Sequence, residues 1–313
     1  MTWWAIGAIV LGAVLLGAVC AATGVFLNML LHPKKWDKSG EFRLLASYGF
    51  DGEGFYNGLD RKPLSFRTSR GNVLQGEILP PKPGTAFQDG RQRAVILLHG
   101  YTASRWGMLA FAELFHRMGF SVIIYDQRYH GESVADFCTM GYLEHMDCIE
   151  LAEHLRTQFP ADTLWGLLGE SMGAATVMMA APELPWLSFV CEDCGYTTLR
   201  KECRASIKYK AGLPGEPFTF LTSLLLPFAA GYRMSQVRPI DTVGRISQPM
   251  LFNHGGTDRY VPTKMIYELY EKKQSAKKMN VFPEVPHARS SVMRREEYYE
   301  LLREFLEENG ILP

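Results

Sequence analysis

The stretch TLWGLLGESMGAA, residues 163–175, decides the expected fold. Its first half is a short apolar run that predicts a buried strand, and the small residues after it predict the start of a helix. Between them stands Gly-x-Ser-x-Gly, centred on Ser171, in the strand–turn–helix order that exposes a nucleophilic serine. A turn this tight strains the backbone of Ser171 and requires glycine at positions 169 and 173. Ser171 is therefore the predicted nucleophile, at a helix N-terminus whose N–H groups can hold an oxyanion.

Short apolar runs recur on both sides of this stretch and alternate with segments of helical pattern. A pair of strands around a turn comes first, over Leu64–Thr68 and Val73–Ile78. Buried strands are predicted over Ala94–Leu98, Ser121–Tyr125, Thr163–Leu168, Leu187–Cys191, Pro249–Asn253 and Met279–Phe282. Helices are predicted over Gly107–Met118, Leu143–Gln158, Met172–Ala181, Thr263–Lys273 and Ser291–Glu308. Repeated β-α units predict an α/β fold, with a mostly parallel central sheet and helices on both faces.

A carboxylate and a histidine should follow the serine, because folds with this turn carry the order Ser, acid, His along the chain. His287 lies after the last predicted strand, on a loop where a functional side chain is expected. Asp258 follows the preceding strand and would orient the imidazole and stabilise its protonated form. Asp193, one strand earlier, is the alternative acid, since a carboxylate there could also reach the histidine. The predicted catalytic residues are Ser171, Asp258 and His287.

The oxyanion hole needs a second N–H donor besides the one that follows the nucleophile. The strand that ends at Leu98 runs into His99-Gly100-Tyr101, where such a fold supplies that donor. The backbone N–H groups of Tyr101 and Met172 are the candidates. His99 itself is interpreted as a buried, hydrogen-bonded loop histidine.

The N-terminal segment is a separate unit, because residues 2–31 contain no charged side chain. As a helix it would be about 45 Å long, at ~1.5 Å per residue. The hydrocarbon core of a bilayer is ~30 Å thick, so the helix can span it with tilt. Lys34, Lys35 and Lys38 follow directly and predict a cytoplasmic location for everything C-terminal to the helix. A cleaved signal peptide is the competing interpretation, but it requires a basic N-terminal region and a shorter apolar run.

These residues together resemble the α/β-hydrolase superfamily, and within it the membrane-anchored bacterial members close to the serine aminopeptidase and monoacylglycerol-lipase-like branch. The resemblance covers about residues 60–310. DQRYHGES, residues 126–133, looks like that branch's Asp-x-Arg-x-His-Gly-x-Ser loop, a structural signature more than a catalytic one. The resemblance implies the α/β-hydrolase fold and a serine hydrolase that cleaves a carboxylic ester through an acyl-enzyme. The alternatives are a peptidase or thioesterase on the same triad, and a non-catalytic scaffold of the same fold.

The expected organisation is a transmembrane anchor over residues 1–31, a loosely packed linker over 32–60 and an α/β-hydrolase domain over 61–313. Residues 196–245 are too long for a simple crossover between two strands and contain helical material. Long insertions in compact domains are usually functional, so this one is predicted to form a cap over the site. One ordinary crossover helix with surface loops is the alternative.

Composition limits the partners and cofactors. Lys+Arg and Asp+Glu are balanced at 33 each, which argues against a general nucleic-acid binder. The spacing of Cys191 and Cys194 suits a metal, but no second pair or histidine cluster accompanies it, so no metal is expected. No phosphate-binding or dinucleotide motif is present, and no cofactor is predicted. The expected partners are a small-molecule or lipid-like acyl substrate and, through the N-terminal helix, the cell membrane.

Overall fold

The computed structural model describes residues 2–82, 84–85 and 87–313, and within them the chain forms a mixed eight-stranded sheet. The strands are β1 (Lys62–Arg67), β2 (Val73–Leu79), β3 (Arg93–Leu98), β4 (Ser121–Tyr125), β5 (Leu164–Glu170), β6 (Phe189–Asp193), β7 (Met250–Gly255) and β8 (Lys277–Phe282). Their order in the sheet is β1-β2-β4-β3-β5-β6-β7-β8. The first two pairings, β1 with β2 and β2 with β4, are antiparallel, and the remaining pairings are parallel. This confirms the predicted fold class.

Helices cover both faces of the sheet and one of its ends. The α-helices are α1 (Trp3–Leu31), α2 (Lys38–Ser47), α3 (Gly52–Asn57), α4 (Leu109–Arg117), α5 (Tyr142–Arg156), α6 (Met172–Ala180), α7 (Leu199–Ala211), α8 (Phe218–Ala230), α9 (Pro239–Thr242), α10 (Lys264–Lys272), α11 (Ser290–Met293) and α12 (Arg295–Glu308). Short 3-10 turns occur at Arg105–Met108, Ala181–Glu183, Met234–Gln236 and Val243–Arg245.

The parallel strands are buried on both faces, as their continuous apolar sequences predict. Along β3, Val95 and Leu97 join the core under α4 and α12, whereas Ala94, Ile96 and Leu98 join the core under α5, α6 and α10. The parallel register brings the carboxyl ends of β3, β5, β6, β7 and β8 to one edge of the sheet. The loops that carry the predicted site residues leave from that edge.

The N-terminal helix α1 is long and apolar enough to cross a membrane, with a mean hydropathy of 2.5 over its most apolar window and no residue of that window buried. The last third of α1 differs from the rest because it is partly buried against the domain. Leu30 and Leu31 are buried, and Phe26 and Leu27 pack partly against the same cluster, which includes Met172 of α6. The first two thirds of α1 are therefore available to lipid, while its end belongs to the core above the sheet edge.

Hydrogen bonds join the end of α1 to the domain. The carbonyl of Met29 has no partner four residues on, because Pro33 lacks an N–H. The hydroxyl of Tyr101 donates to that carbonyl instead. The N–H of Cys138 donates to the carbonyl of Leu31 at 2.8 Å.

The prediction of a loosely packed linker over residues 32–60 is wrong. This segment contains α2 and α3, each capped at its N-terminus by an aspartate that accepts a backbone N–H at 2.8 Å. Phe42, Leu45, Phe50 and Tyr56 are buried in the core under α4 and α12. The apolar positions in two short, glycine-containing helices are too few to give a readable helical period.

The insertion over residues 196–245 is helical and lies between β6 and β7. It contains α7, α8 and α9, and its buried residues Tyr196, Cys203 and Leu226 share a core with Leu30 of α1. Helix α8 packs directly against α1. Whether the insertion acts as a cap stays a prediction.

Candidate active site

The backbone at Ser171 has the strained conformation that its sequence context predicts. Ser171 lies between β5 and α6 with φ 56° and ψ −110°, a region that residues with a side chain rarely adopt. A Cβ atom on Gly169 would lie 2.1 Å from the carbonyl oxygen of Gly173, and one on Gly173 would lie 2.1 Å from that of Leu98. Glycine is thus required at both positions. The Ser171 N–H donates to the carbonyl of Asp193 at 2.8 Å, which ties the turn to β6.

Ser171, His287 and Asp258 are hydrogen-bonded in series. The Oγ of Ser171 lies 3.0 Å from Nε2 of His287. The Nδ1 of His287 lies 2.6 Å from Oδ2 of Asp258. Because Nδ1 faces a carboxylate and carries the proton, Nε2 has a free lone pair toward the serine hydroxyl. The structure thus brings together the three side chains that the sequence predicts as a triad.

Asp258 is buried and is held as a carboxylate by its partners. Its Oδ1 accepts the backbone N–H groups of Tyr260 and Val261, each at 2.9 Å. Its Oδ2 lies 3.2 Å from Nε2 of His254 as well as against His287. Burial acts to raise the pKa of Asp258, but hydrogen bonds from the two histidines outweigh it and hold the pKa below its usual value.

His254 was not predicted from the sequence. Its Nε2 lies 3.0 Å from the carbonyl of Val261 and 3.2 Å from Asp258, so one N–H is shared between two acceptors. Burial acts to lower the pKa of His254, but the carboxylates of Asp258 and Glu192 outweigh it and raise the pKa. The sequence signal was a histidine four residues before the predicted acid, and nothing in that spacing shows that the two side chains meet.

Asp193, the alternative acid, is hydrogen-bonded to a serine of α11. Its side chain is fully buried, and Oδ1 lies 3.4 Å from the hydroxyl of Ser290. Within the described residues it makes no hydrogen bond to His287, and burial raises its pKa. The geometry therefore agrees with Asp258 as the residue that contacts the imidazole.

The two predicted oxyanion donors flank the serine. Met172 is the first residue of α6, and within the described residues neither its N–H nor that of Tyr101 donates to an acceptor. The loop that carries Tyr101 is close to the nucleophile, since a Cβ on Gly100 would lie 3.4 Å from Cβ of Ser171. The N–H of the next residue, Thr102, is held at 3.3 Å by Nε2 of His130.

His99 has the structural role that the sequence interpretation gives it. Its Nδ1 donates to the carbonyl of Gly100 at 2.8 Å, and its Nε2 accepts the N–H of Gln127 at 2.9 Å. Burial lowers the pKa of His99 to about 4, so the ring is neutral at physiological pH. The ring centroids of His99 and His130 are 5.0 Å apart. The two histidines together connect the loop over residues 126–133 to the loop that carries Tyr101.

The chain is similar to several known proteins. A family model described as serine aminopeptidase, S33, matches residues 89–187. The chain is 27% identical to the uncharacterized protein YqkD of Bacillus subtilis over 307 residues, which are 97% of this chain and 96% of that protein. It is 25% identical over 246 residues to the uncharacterized protein Rv2307c of Mycobacterium tuberculosis, covering 78% and 79% of the two chains.

Among solved structures, the esterase Pf2001 of Pyrococcus furiosus superposes with a TM-score of 0.65 at 25% identity. The match covers 83% of this chain and 96% of the esterase. The chain belongs to the α/β-hydrolase superfamily. Together with the family model, this likeness makes it a serine hydrolase of that fold.

Two further carboxyl groups of this α/β-hydrolase site, those of Glu41 and Glu170, were not predicted from the sequence. Both line the cavity of about 230 Å³ that contains Ser171. Glu41 comes from α2 and accepts the N–H of Ser104 at 2.7 Å. Burial raises the pKa of Glu41 to about 7, and burial together with the neighbouring Asp193 raises that of Glu170 to about 8. Glu170 is visible as the variable residue of the serine turn, but the sequence does not indicate that the N-terminal segment reaches the site.

One cluster in the hydrolase has the ligand types of a metal site, since Cys194, Asp258 and His287 offer atoms within 4.8 Å of one another. The set fits a metal poorly. Burial raises the pKa of the Cys194 thiol well above its usual value, away from the thiolate that binds metals. The other two side chains are already hydrogen-bonded to each other. The donor set supplies three ligands from the described residues, whereas a structural zinc site uses four.

Proposed function

We propose that this α/β-hydrolase cleaves a carboxylic ester through a covalent acyl-enzyme on Ser171, with His287 as base and Asp258 as the acid that orients it. The observation that carries the proposal is the continuous hydrogen-bonded series from the serine hydroxyl through the imidazole to a buried carboxylate. That series supplies what nucleophilic catalysis by serine requires, namely a base within reach of the hydroxyl proton and a fixed tautomer of that base.

In the first half of the reaction, Oγ of Ser171 attacks the acyl carbonyl while Nε2 of His287 takes the hydroxyl proton. The negative charge on the former carbonyl oxygen is stabilised by the N–H groups of Tyr101 and Met172, which have no competing acceptor in the described part of the chain. Asp258 stabilises the imidazolium that forms. The intermediate then collapses, and His287 returns the proton to the departing alcohol.

In the second half, water attacks the acyl-enzyme by the same route in reverse. His287 takes a proton from water, the hydroxide adds to the acyl carbonyl, and Ser171 leaves with the proton as the acid is released. The scheme needs no cofactor, because all proton transfers run through one imidazole.

An ester substrate is favoured over an amide or thioester by the likeness to the Pf2001 esterase. A peptidase is the second candidate, because the matching family model is described as a serine aminopeptidase. A thioesterase would use the same residues, and a non-catalytic scaffold would leave the hydrogen-bonded series without a use. The substrate we propose is a small-molecule or lipid-like acyl ester, and we propose no nucleic-acid partner.

The proposed location is the cell membrane, with α1 as a single-pass anchor and the hydrolase domain, including its cap over residues 196–245, on the cytoplasmic side. Support comes from the exposed apolar surface of α1 and from Lys34 and Lys35, which follow it.

Fluorophosphonate labelling tests the proposal, since such probes phosphonylate an activated serine. The full-length protein should be labelled and should hydrolyse esters. Ser171→Ala should lose both by several orders of magnitude, because a triad acts as a unit. Ser47→Ala, at an exposed serine of α2, is the matched control and should behave as wild type. Unchanged labelling of Ser171→Ala would refute the nucleophile, and faster turnover of matched amides or thioesters than of esters would refute the ester class.

A further inference from the structure

A second cavity, also of about 230 Å³, lies beside the catalytic one and is mainly apolar. Three helices contribute to its walls: α1 through Val25 and Met29, α7 through Cys203 and Ile207, and α8 through Phe218. Its walls thus combine the N-terminal helix with the insertion, two segments far apart in sequence.

This apolar cavity adjoins the active site. Tyr101, Lys210 and Tyr260 line both cavities. The ring of Tyr260 lies 4.9 Å from the ring of His287, and the N–H of Tyr101 is an oxyanion donor in the proposed mechanism. A substrate whose carbonyl lies over the serine could therefore extend its acyl chain past the two tyrosines into the apolar space.

The charged groups at the cavity do not contradict an apolar occupant. Glu202 lies in the wall, and burial raises its pKa well above the usual value, which favours the neutral acid. Lys210 stands at the junction of the two cavities with its ammonium group 4.8 Å from the centre of the Tyr260 ring. The ammonium group thus has the face of an aromatic ring as a favourable neighbour.

Helix α8, beside the cavity, has its polarity reversed relative to a helix in water. Its buried residues include Thr219 and Thr222, whereas Phe220, Leu224 and Phe228 are exposed, Phe228 by 90%. Exposed apolar patches of this kind mark contact with lipid or protein. The neighbour of α8 is α1, whose surface is suited to lipid, so the outer face of α8 has the same surroundings.

The position of the cavity along α1 matches the level of the bilayer surface. Residues Trp3–Ala22, which are exposed or half-exposed, would form a helix about 30 Å long, the thickness of the hydrocarbon core. Val25 and Met29 come in the next two turns, where the helix leaves the bilayer. The apolar cavity therefore lies at the interface, between lipid and the catalytic serine.

We propose that this cavity holds the acyl chain of a membrane lipid ester, which enters sideways from the bilayer between α1 and α8. The inference rests on the proposed esterase function and adds a specific role for α1: the anchor helix is a wall of the acyl-chain site. Val25 and Met29 thereby become determinants of acyl-chain length.

The test compares Val25→Trp with Val14→Trp in the full-length protein, reconstituted in phosphatidylcholine vesicles. Both positions are exposed valines of α1, 11 residues or about three turns apart, so they lie on nearly the same face of the helix. Of these two residues, Val25 lines the cavity and Val14 does not. The readout is kcat/KM for p-nitrophenyl dodecanoate divided by that for p-nitrophenyl butyrate, with active enzyme counted by a small fluorophosphonate.

In Val25→Trp we expect this ratio to fall about tenfold or more, the effect of excluding roughly two buried methylene groups. Val14→Trp should keep the wild-type ratio. Ala211→Phe, which fills the cavity from the exposed end of α7, should reproduce the effect and guards against misfolding of one variant. An unchanged ratio in the two cavity variants, or equal losses on both esters, would overturn the acyl-chain site alone. Absence of labelling in the wild type would refute the esterase itself.

Discussion

Helices α8 and α12 pack on the same domain with opposite polarity. Helix α12 buries Tyr298, Leu302 and Phe305 and exposes charged residues such as Arg303 and Glu307, which pair at 2.5 Å. Helix α8 instead buries two threonines besides Leu226 and exposes two phenylalanines and two leucines. The first pattern is that of a helix facing water, and the second is expected where the surroundings are apolar.

The same contrast divides the surroundings of Ser171. On the sheet side, the catalytic partners come from loops at the strand ends and meet through short hydrogen bonds. On the side of α1 and α8, the walls are apolar and supplied by remote segments. We therefore expect changes on the sheet side to alter the chemical step, and changes on the other side to alter stability and the access of apolar substrates.

The largest effect is expected on the sheet side, at the acid. Asp258→Asn should lower kcat roughly ten-thousandfold, because an amide at this position favours the wrong imidazole tautomer. Asp193→Asn should cost far less, since the hydrogen bond of Asp193 is to Ser290 and that of His287 is to Asp258. Steady-state rates on a short ester, normalised by folded protein, give the comparison. A greater loss in Asp193→Asn would move the acid one strand earlier.

The next effect concerns the two parts of α1. Deletion of residues 1–31 removes Leu30 and Leu31 and should lower the free energy of unfolding by about 3 to 6 kcal/mol, since each buried leucine contributes roughly 1.5–3 kcal/mol. Deletion of residues 1–21 removes only exposed or half-exposed positions within the described part of the chain and should leave that free energy unchanged. Urea unfolding in mild detergent measures both. Equal stability of the two chains would mean that all of α1 serves as anchor.

A smaller effect is expected at Glu41, where the N-terminal segment meets the site. Burial raises its pKa from 4.5 to about 7, so between these pH values the unfolded chain has lost a proton that the folded chain retains. The contribution of Glu41 to stability is thus fully present below pH 4.5 and declines as the pH rises to about 7. Glu41→Gln should remove this decline, which amounts to about 3 kcal/mol at most. Melting temperatures measured from pH 4.5 to 8 should differ progressively between the two proteins, and parallel curves would contradict the shift.

The smallest effect should come from the exposed face of α8. In the chain lacking residues 1–21, Phe228→Ser should weaken binding to phosphatidylcholine vesicles about tenfold, since one phenylalanine is withdrawn from the hydrocarbon. Tyr267→Ser, at an exposed aromatic of α10, should leave vesicle binding unchanged. Sedimentation with vesicles measures both. Equal binding of the two variants would show that α8 faces water after all.

What could be predicted from the sequence was whatever depends on neighbours along the chain. The steric need for glycine on both sides of Ser171 is local, and the order of acid and base follows from the order of the strands. His254 could not be predicted, because its contact with Asp258 depends on the course of the loop between them. Glu41 could not be predicted as a site residue for a related reason, since its hydrogen-bond partner Ser104 lies on a loop that is distant in sequence. Within α1, lipid-facing and core-facing residues are equally apolar, so composition could not distinguish them.

With α1 in the bilayer as proposed, the hydrogen bond from Tyr101 to the carbonyl of Met29 sets the distance between Ser171 and the membrane surface. A tether of flexible residues would let the enzyme sweep a volume and reach soluble or neighbouring surfaces. Here the end of α1 is hydrogen-bonded to the loop that carries Tyr101. The segment after α1 is attached to the same loop, because the N–H of Trp36 donates to the carbonyl of Thr102 at 3.3 Å. In the membrane-anchored state that we propose, the enzyme is thereby restricted to substrates in the adjacent leaflet, and the rate of encounter depends on the number of substrate molecules per unit area of membrane.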